Sequence, residues 1–165
     1  MTQLSLGLVG LGRMGGNMAR RLSRGGVRVV GFDATPGSAA ALAKEGAIVA
    51  ANSLVALAAS LPVPRVVWLM VPAGDATQAT IDALATQLSP GDAIVDGGNA
   101  NYKDSQRRAE TLAARGIAVQ VGPPECRRSL CRVSIAAGDS AALGKLYGVL
   151  ESEDGLYGWA ETTSA

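Results

Sequence analysis

The stretch Gly10-Leu11-Gly12-Arg13-Met14-Gly15 constrains this chain more than any other feature. Three glycines spaced G-x-G-x-x-G mean little in isolation. Here they follow a short apolar run at residues 4–9 and lead into the stretch Arg13–Arg24, whose apolar residues at 14, 18 and 22 recur at helical spacing. A strand that ends in a glycine turn and passes at once into a helix is the first half of a β-α-β unit. In that context Gly10 permits the tight turn. Gly12 lets a pyrophosphate approach the backbone, and Gly15 lets helix and strand pack closely. The helix N-terminus then offers free N–H groups and a partial positive charge to the phosphates. The alternative, a glycine-rich turn with no ligand, stays open on this motif alone.

The rest of the first 121 residues repeats the alternation. Strands are expected at residues 27–32, 47–49, 65–71, 92–98 and 117–121. Helices are expected at 38–46, stopped by Gly46, and at 52–60, capped by Asn52 or Ser53. Two more are expected at 75–88 and 104–115. The run 65–71, RVVWLMV, is continuously apolar and rich in β-branched residues, as a central parallel strand requires. Strands alternating with helices of this length imply right-handed crossovers and an α/β fold: a Rossmann-type, doubly wound parallel sheet in three αβα layers. Residues 133–138 could add a strand and 139–152 a helix. The expected domain is 1–152, with 153–165 a frayed, disordered tail.

Asp33 ends the second expected strand, 33 − 12 = 21 residues after the middle glycine. A carboxylate there can accept hydrogen bonds from the ribose hydroxyls of a bound dinucleotide and would repel a 2′-phosphate. No arginine follows in DATPGS to neutralise one, so NAD is expected over NADP. The same residue could also be a simple turn-former before Thr-Pro-Gly. Ligands of open α/β sheets bind outside the carboxyl ends of the strands. The stretches 71–74 (VPAG) and 96–99 (DGGN) stand at two such ends, with small residues that would let a flat ring approach. Asn99 supplies both a donor and an acceptor.

Composition excludes several classes. The net charge of +1 gives no general attraction to nucleic acid or anionic membrane. No run of about 18 apolar residues exists to span a membrane, and the N-terminal segment lacks the basic start of a secretory leader. Two cysteines in 165 residues do not make a disulfide framework, and a cytoplasmic location is expected. Histidine is absent, which removes the commonest general base and metal ligand. C-x4-C alone cannot close a four-ligand zinc site, so no metal is expected.

Taken together, GLVGLGRMGGNMARRL, VWLMVPAG and IVDGGNANYKDSQRRAE resemble the 6-phosphogluconate dehydrogenases, in particular their shorter, NAD-preferring branch, and more widely the β-hydroxyacid dehydrogenases. The resemblance covers residues 4–121. It implies oxidation and decarboxylation of 6-phosphogluconate to ribulose 5-phosphate with NAD(P). It also implies cofactor contacts at Gly10, Leu11, Gly12, Arg13, Met14 and Gly15, with Met14 near the nicotinamide. Asp33, Ala34 and Thr35 would surround the adenosine ribose. Val71, Pro72 and Ala73 would line the cofactor on its other side, and Asn99 would touch nicotinamide and substrate.

The resemblance fails at residues 122–132, GPPECRRSLCR, where the family has a G-T-S-G-G type substrate loop and only Gly122 matches. Pro123, Pro124 and Glu125 remove hydroxyl donors, stiffen the chain and add a charge that repels a phosphorylated sugar acid. It returns loosely at SIAAG and GWA. The family's catalytic lysine, His-Asn pair and glutamate have no match, and Lys145 fits no family motif. No catalytic residue is therefore assigned. The helical substrate and dimer domain is expected to be absent, leaving a cofactor half that is inactive and not oligomeric by itself. Two compensating frameshifts would produce such a segment; true divergence to a nucleotide-binding module, or a dehydrogenase acting on a smaller acid, are the alternatives. Arg127, Arg128 and Arg132 are read as a solvated loop rather than a nucleic-acid patch. Arg107 and Arg108 are read as exposed charges paired with Asp104 and Glu110. Trp68 is expected in the core.

Overall fold

The structure, a computed structural model, describes residues 3–98, 103–104, 107–108, 110, 119–121, 125–127, 130–132 and 135–137. Five parallel strands form the central sheet: β1 (Ser5–Val9), β2 (Arg28–Phe32), β3 (Val49–Ala50), β4 (Val66–Leu69) and β5 (Ala93–Asp96), in the order β3-β2-β1-β4-β5. Helices α1 (Arg13–Arg24), α2 (Ser38–Lys44), α3 (Leu54–Ala59) and α4 (Asp75–Ala85) connect them. The chain winds outward from β1 to β3, then crosses back to β4 on the other side of β1. The strand order therefore reverses between β1 and β4, and a crevice opens there at the carboxyl ends of the strands.

Each face of the sheet has its own core. Met18, Ala19 and Leu22 of α1 and Leu42 of α2 pack on Leu6, Leu8, Val29 and Val95. On the opposite face, Leu57 of α3 and Ile81 and Leu84 of α4 pack on Val9, Val30, Val67 and Ile94. Leu6, Leu8, Leu57, Val67, Leu69 and Leu84 are wholly buried. The alternation of side chains along each strand sends successive residues to the two cores, so both faces must be apolar. The three-layer αβα expectation is met.

Through residue 98 the expected elements appear with shorter strands; of the helix expected at 104–115, residues 104, 107, 108 and 110 are helical and the others lie outside the described residues. Pairing stops where a neighbouring strand ends, so the apolar run 65–71 yields a strand of only four residues. Ser53 is the cap of α3: its Oγ accepts from the Ala56 N–H at 3.0 Å. Trp68 packs against the first core, half-buried beside Gly97, where any Cβ would overlap the indole.

Two expectations past residue 110 are corrected. The strand expected at 117–121 exists as β6 (Val119–Val121), but it pairs antiparallel with β9 (Ile135–Ala137) rather than extending the parallel ladder. A strand can join a parallel edge only through a crossover connection, whereas antiparallel partners need only a chain that returns. Part of the segment read as a loop is strand: β7 (Glu125–Arg127) pairs antiparallel with β8 (Leu130–Arg132), with Cys126 opposite Cys131. The sequence Glu-Cys-Arg-Arg-Ser-Leu-Cys-Arg carries no Gly or Asn turn signal, which is why its pairing is not legible locally. The helix expected at 139–152 and the tail 153–165 lie outside the described residues.

Candidate functional site: a dinucleotide cleft at the strand ends

The crevice is built first by the turn after β1. Gly10 has φ +91°, and a Cβ there would stand 2.5 Å from the Met70 carbonyl oxygen. Its N–H donates to the Phe32 carbonyl at 2.9 Å, which fixes the turn to the end of β2. Gly15 is buried in the first turn of α1, where a Cβ would overlap the Gly10 carbonyl oxygen. Gly12 is different. It is the N-cap of α1, exposed, and a Cβ on it would meet nothing within 4 Å. The space over Gly12 is open while the space behind Gly10 and Gly15 is filled. That is the arrangement the motif requires if phosphates approach from the crevice side. No side chain caps α1 and its first turn holds no acidic residue, so the helix itself supplies no anion to its N-terminal N–H groups.

Asp33 follows β2 and closes the second wall. Its Oδ2 accepts from the Leu11 N–H at 2.6 Å and its Oδ1 from the Thr35 N–H at 2.7 Å. Partial burial pushes this carboxyl up, but the hydrogen bonds from Leu11 and Thr35 outweigh it and hold the group below the ordinary 3.8. The carboxylate thus stays charged and pinned to the glycine turn. Ala34, Thr35, Pro36 and Gly37 continue it as an exposed loop with no cation.

The remaining wall comes from the loops after β4 and β5. Val71 is half-buried, whereas Pro72 and Ala73 are exposed. Thr77, wholly buried in α4, donates from Oγ1 to the Pro72 carbonyl at 2.9 Å and fixes that loop. Arg13 and Met14 stand exposed at the start of α1, Met14 at 63%. A groove of about 470 Å³ runs along α1 and is lined by Met14, Met18, Trp68, Met70 and Gly97 among others. Its Met14–Gly97 end belongs to the crevice. Asn99 lies outside the described residues.

The structure therefore brings together Gly10, Leu11, Gly12, Arg13, Met14, Gly15, Asp33, Ala34, Thr35, Val71, Pro72 and Ala73 at the carboxyl edge of one sheet. The donor set suits a dinucleotide: open backbone at Gly12, a helix N-terminus, and a fixed carboxylate at the end of β2. Sequence reasoning missed Thr77 and misread Arg108. Arg108 is not an exposed charge but 2% exposed, in a buried ion pair with Asp96; only Arg107 makes the expected surface pair, with Asp104 at 3.1 Å. A charge on a polar helix fits the solvent pattern, and nothing in the local sequence marks the buried carboxylate it meets. Among the described residues no helix is long and apolar enough to cross a membrane.

Residues 5–123 match the model of the NAD binding domain of 6-phosphogluconate dehydrogenase. The chain is 44% identical over 111 residues to the NAD(+)-dependent, decarboxylating 6-phosphogluconate dehydrogenase of Haloferax volcanii, covering 67% of this chain and 37% of that protein. It is 43% identical over 116 residues to the decarboxylating enzyme of Haemophilus ducreyi, covering 68% of this chain and 24% of that protein. Among solved structures, the Plasmodium falciparum 6-phosphogluconate dehydrogenase, described with its cofactor NADP+ and its substrate, superposes with a TM-score of 0.63 at 27% identity. That match covers 71% of this chain and 27% of the other. The matching region thus spans between a quarter and two fifths of the length of these curated relatives.

Proposed function

This chain belongs to the family of the NAD binding domain of 6-phosphogluconate dehydrogenase, and on that basis we propose that it is the NAD-holding part of an enzyme that oxidatively decarboxylates 6-phosphogluconate. The observation that carries the cofactor choice is Asp33. Its two oxygens are held by the Leu11 and Thr35 N–H groups, and the loop after it is Ala-Thr-Pro-Gly. A 2′-phosphate entering there would meet a fixed negative charge and, in the 34–37 loop, no guanidinium, whereas ribose hydroxyls would find an acceptor. The relatives themselves include NAD- and NADP-dependent enzymes, so the distinction rests on this site.

In this reading Gly12 and the N-terminus of α1 receive the pyrophosphate, and Asp33, Ala34 and Thr35 enclose the adenosine ribose. Met14, Val71, Pro72 and Ala73 flank the nicotinamide, with Asn99 between ring and substrate. NAD, when bound, supplies the hydride acceptor. The sugar acid, the substrate of the relatives, would enter from the Met14–Gly97 end. No lysine of the chain matches the family's catalytic one, and no residue here is assigned the proton transfer.

A thermal-shift titration of the chain with NAD and NADP tests the proposal. Binding to the folded state raises stability by RT ln(1 + [L]/Kd), about 2.7 kcal/mol at a hundredfold excess over Kd. A clear rise in Tm with NAD and a smaller one with NADP is the expected result. An equal or larger rise with NADP would overturn the role of Asp33, and no rise with either would overturn cofactor binding.

A further inference from the structure

The two loops that form the nicotinamide side of the cleft are joined underneath by one buried guanidinium. Arg108 and Asp96 have side chains only 2% exposed, and Arg108 Nη1 donates to Asp96 Oδ2 at 3.4 Å. Arg108 Nη2 donates to the Gly74 carbonyl at 3.2 Å. Gly74 ends the loop after β4 and Asp96 is the last residue of β5, so the fork bridges two neighbouring strand ends. The clamp continues upward: Asp96 Oδ1 accepts from the Gly98 N–H at 3.2 Å. Gly98 in turn lies against the other loop, for a Cβ on it would stand 2.9 Å from the Val71 carbonyl oxygen. Loops 71–74 and 97–98 are thus in contact above and tied together below.

A buried ion pair contributes little net stability, because desolvation offsets the attraction. What a planar fork with two acceptors does supply is fixed geometry. We infer that Arg108 is a positioning residue for the cofactor cleft: it sets the spacing of the loops after β4 and β5, and hence the fit of the nicotinamide half. It does not shape the adenosine end, which rests on β1, β2, α1 and Asp33. This inference rests on the NAD-binding reading above.

The test separates the two ends of the cofactor. The affinities of NADH and of AMP are measured by calorimetry on the full chain and on its R108M and R108K forms. AMP reports the adenosine end alone. R108M is expected to weaken NADH about tenfold, as a displaced loop misplaces the ring, while AMP stays within about twofold. R108K keeps the charge but cannot span both acceptors, and it recovers part of the loss. If R108M fails to melt cooperatively, R108K against wild type carries the same comparison. NADH and AMP weakening by equal factors, or NADH binding unchanged, overturns the inference while leaving the cofactor reading intact. A wild-type chain that binds neither ligand overturns the cofactor reading, and this inference with it.

Discussion

At the scale of single residues, the cleft depends on atoms that are absent as much as on those present. Gly15 has no room for a methyl group against the Gly10 carbonyl. Gly15→Ala is therefore expected to displace α1 from the end of β1, lowering stability by about 1–3 kcal/mol by chemical denaturation, the range for overpacked sites. Gly12→Ala, by contrast, meets open space and should leave the fold intact while reducing cofactor affinity. Asp33 carries a pH signature with a definite sign. Its folded value lies below the ordinary 3.8, so the carboxylate stabilises the folded chain. That stabilisation is complete above about pH 5 and is lost as the pH falls below 3.8 through the folded value. A comparison of Tm against pH for wild type and Asp33→Asn should show the two curves converging in acid and separating toward neutrality. Parallel curves would remove the charge from the account.

At the scale of elements, the helices differ in what holds them. α1 buries Met18, Ala19 and Leu22 at helical spacing, a pattern plain in the sequence, and its bounds match the expectation. α3 is six residues long, too short to persist without tertiary contacts. It is fixed by the Ser53 cap and by Leu57, wholly buried in the second core. Ser53→Ala should cost about 1 kcal/mol, and Leu57→Ala about 2–5 kcal/mol, both read from urea unfolding. Equal, small effects would mean that α3 contributes little to the cooperative unit. The strands were legible as apolar runs, but their ends were not, because a ladder ends where the partner ends and the partner is remote in sequence.

At the scale of the whole molecule, β4 and β5 are joined at both ends by buried charge. At the amino ends, Asp92 is wholly buried and accepts from the Arg65 N–H at 2.6 Å, Arg65 Nη1 at 2.9 Å and the Ser89 N–H at 2.9 Å. At the carboxyl ends stands the Arg108–Asp96 pair beneath the cleft. The first pair is far from the cofactor side of the sheet. Asp92→Ala leaves the Arg65 guanidinium without its carboxylate and two backbone N–H groups without their acceptor, and should cost about 3 kcal/mol or more. The effect should appear in Tm, with the ratio of NADH to AMP affinity unchanged. A shift in that ratio would show that the two ends of the sheet are coupled.

The sequence by itself determined the alternating α/β order, the glycine turn into α1, the place of Asp33 at the end of β2 and the family to which residues 5–123 belong. These are local properties: periodicity, turn chemistry and spacing along one unit set them before any distant contact forms. The tertiary structure alone decided that Arg108 turns inward to Asp96, that Thr77 holds the Pro72 carbonyl, and that Asp33 is pinned by Leu11. It also decided that β6 turns back on β9 and that Glu125–Arg127 pairs with Leu130–Arg132. Each of these joins groups that approach only when separate elements meet, and a charged or polar residue reads the same in sequence whether water or a buried partner satisfies it.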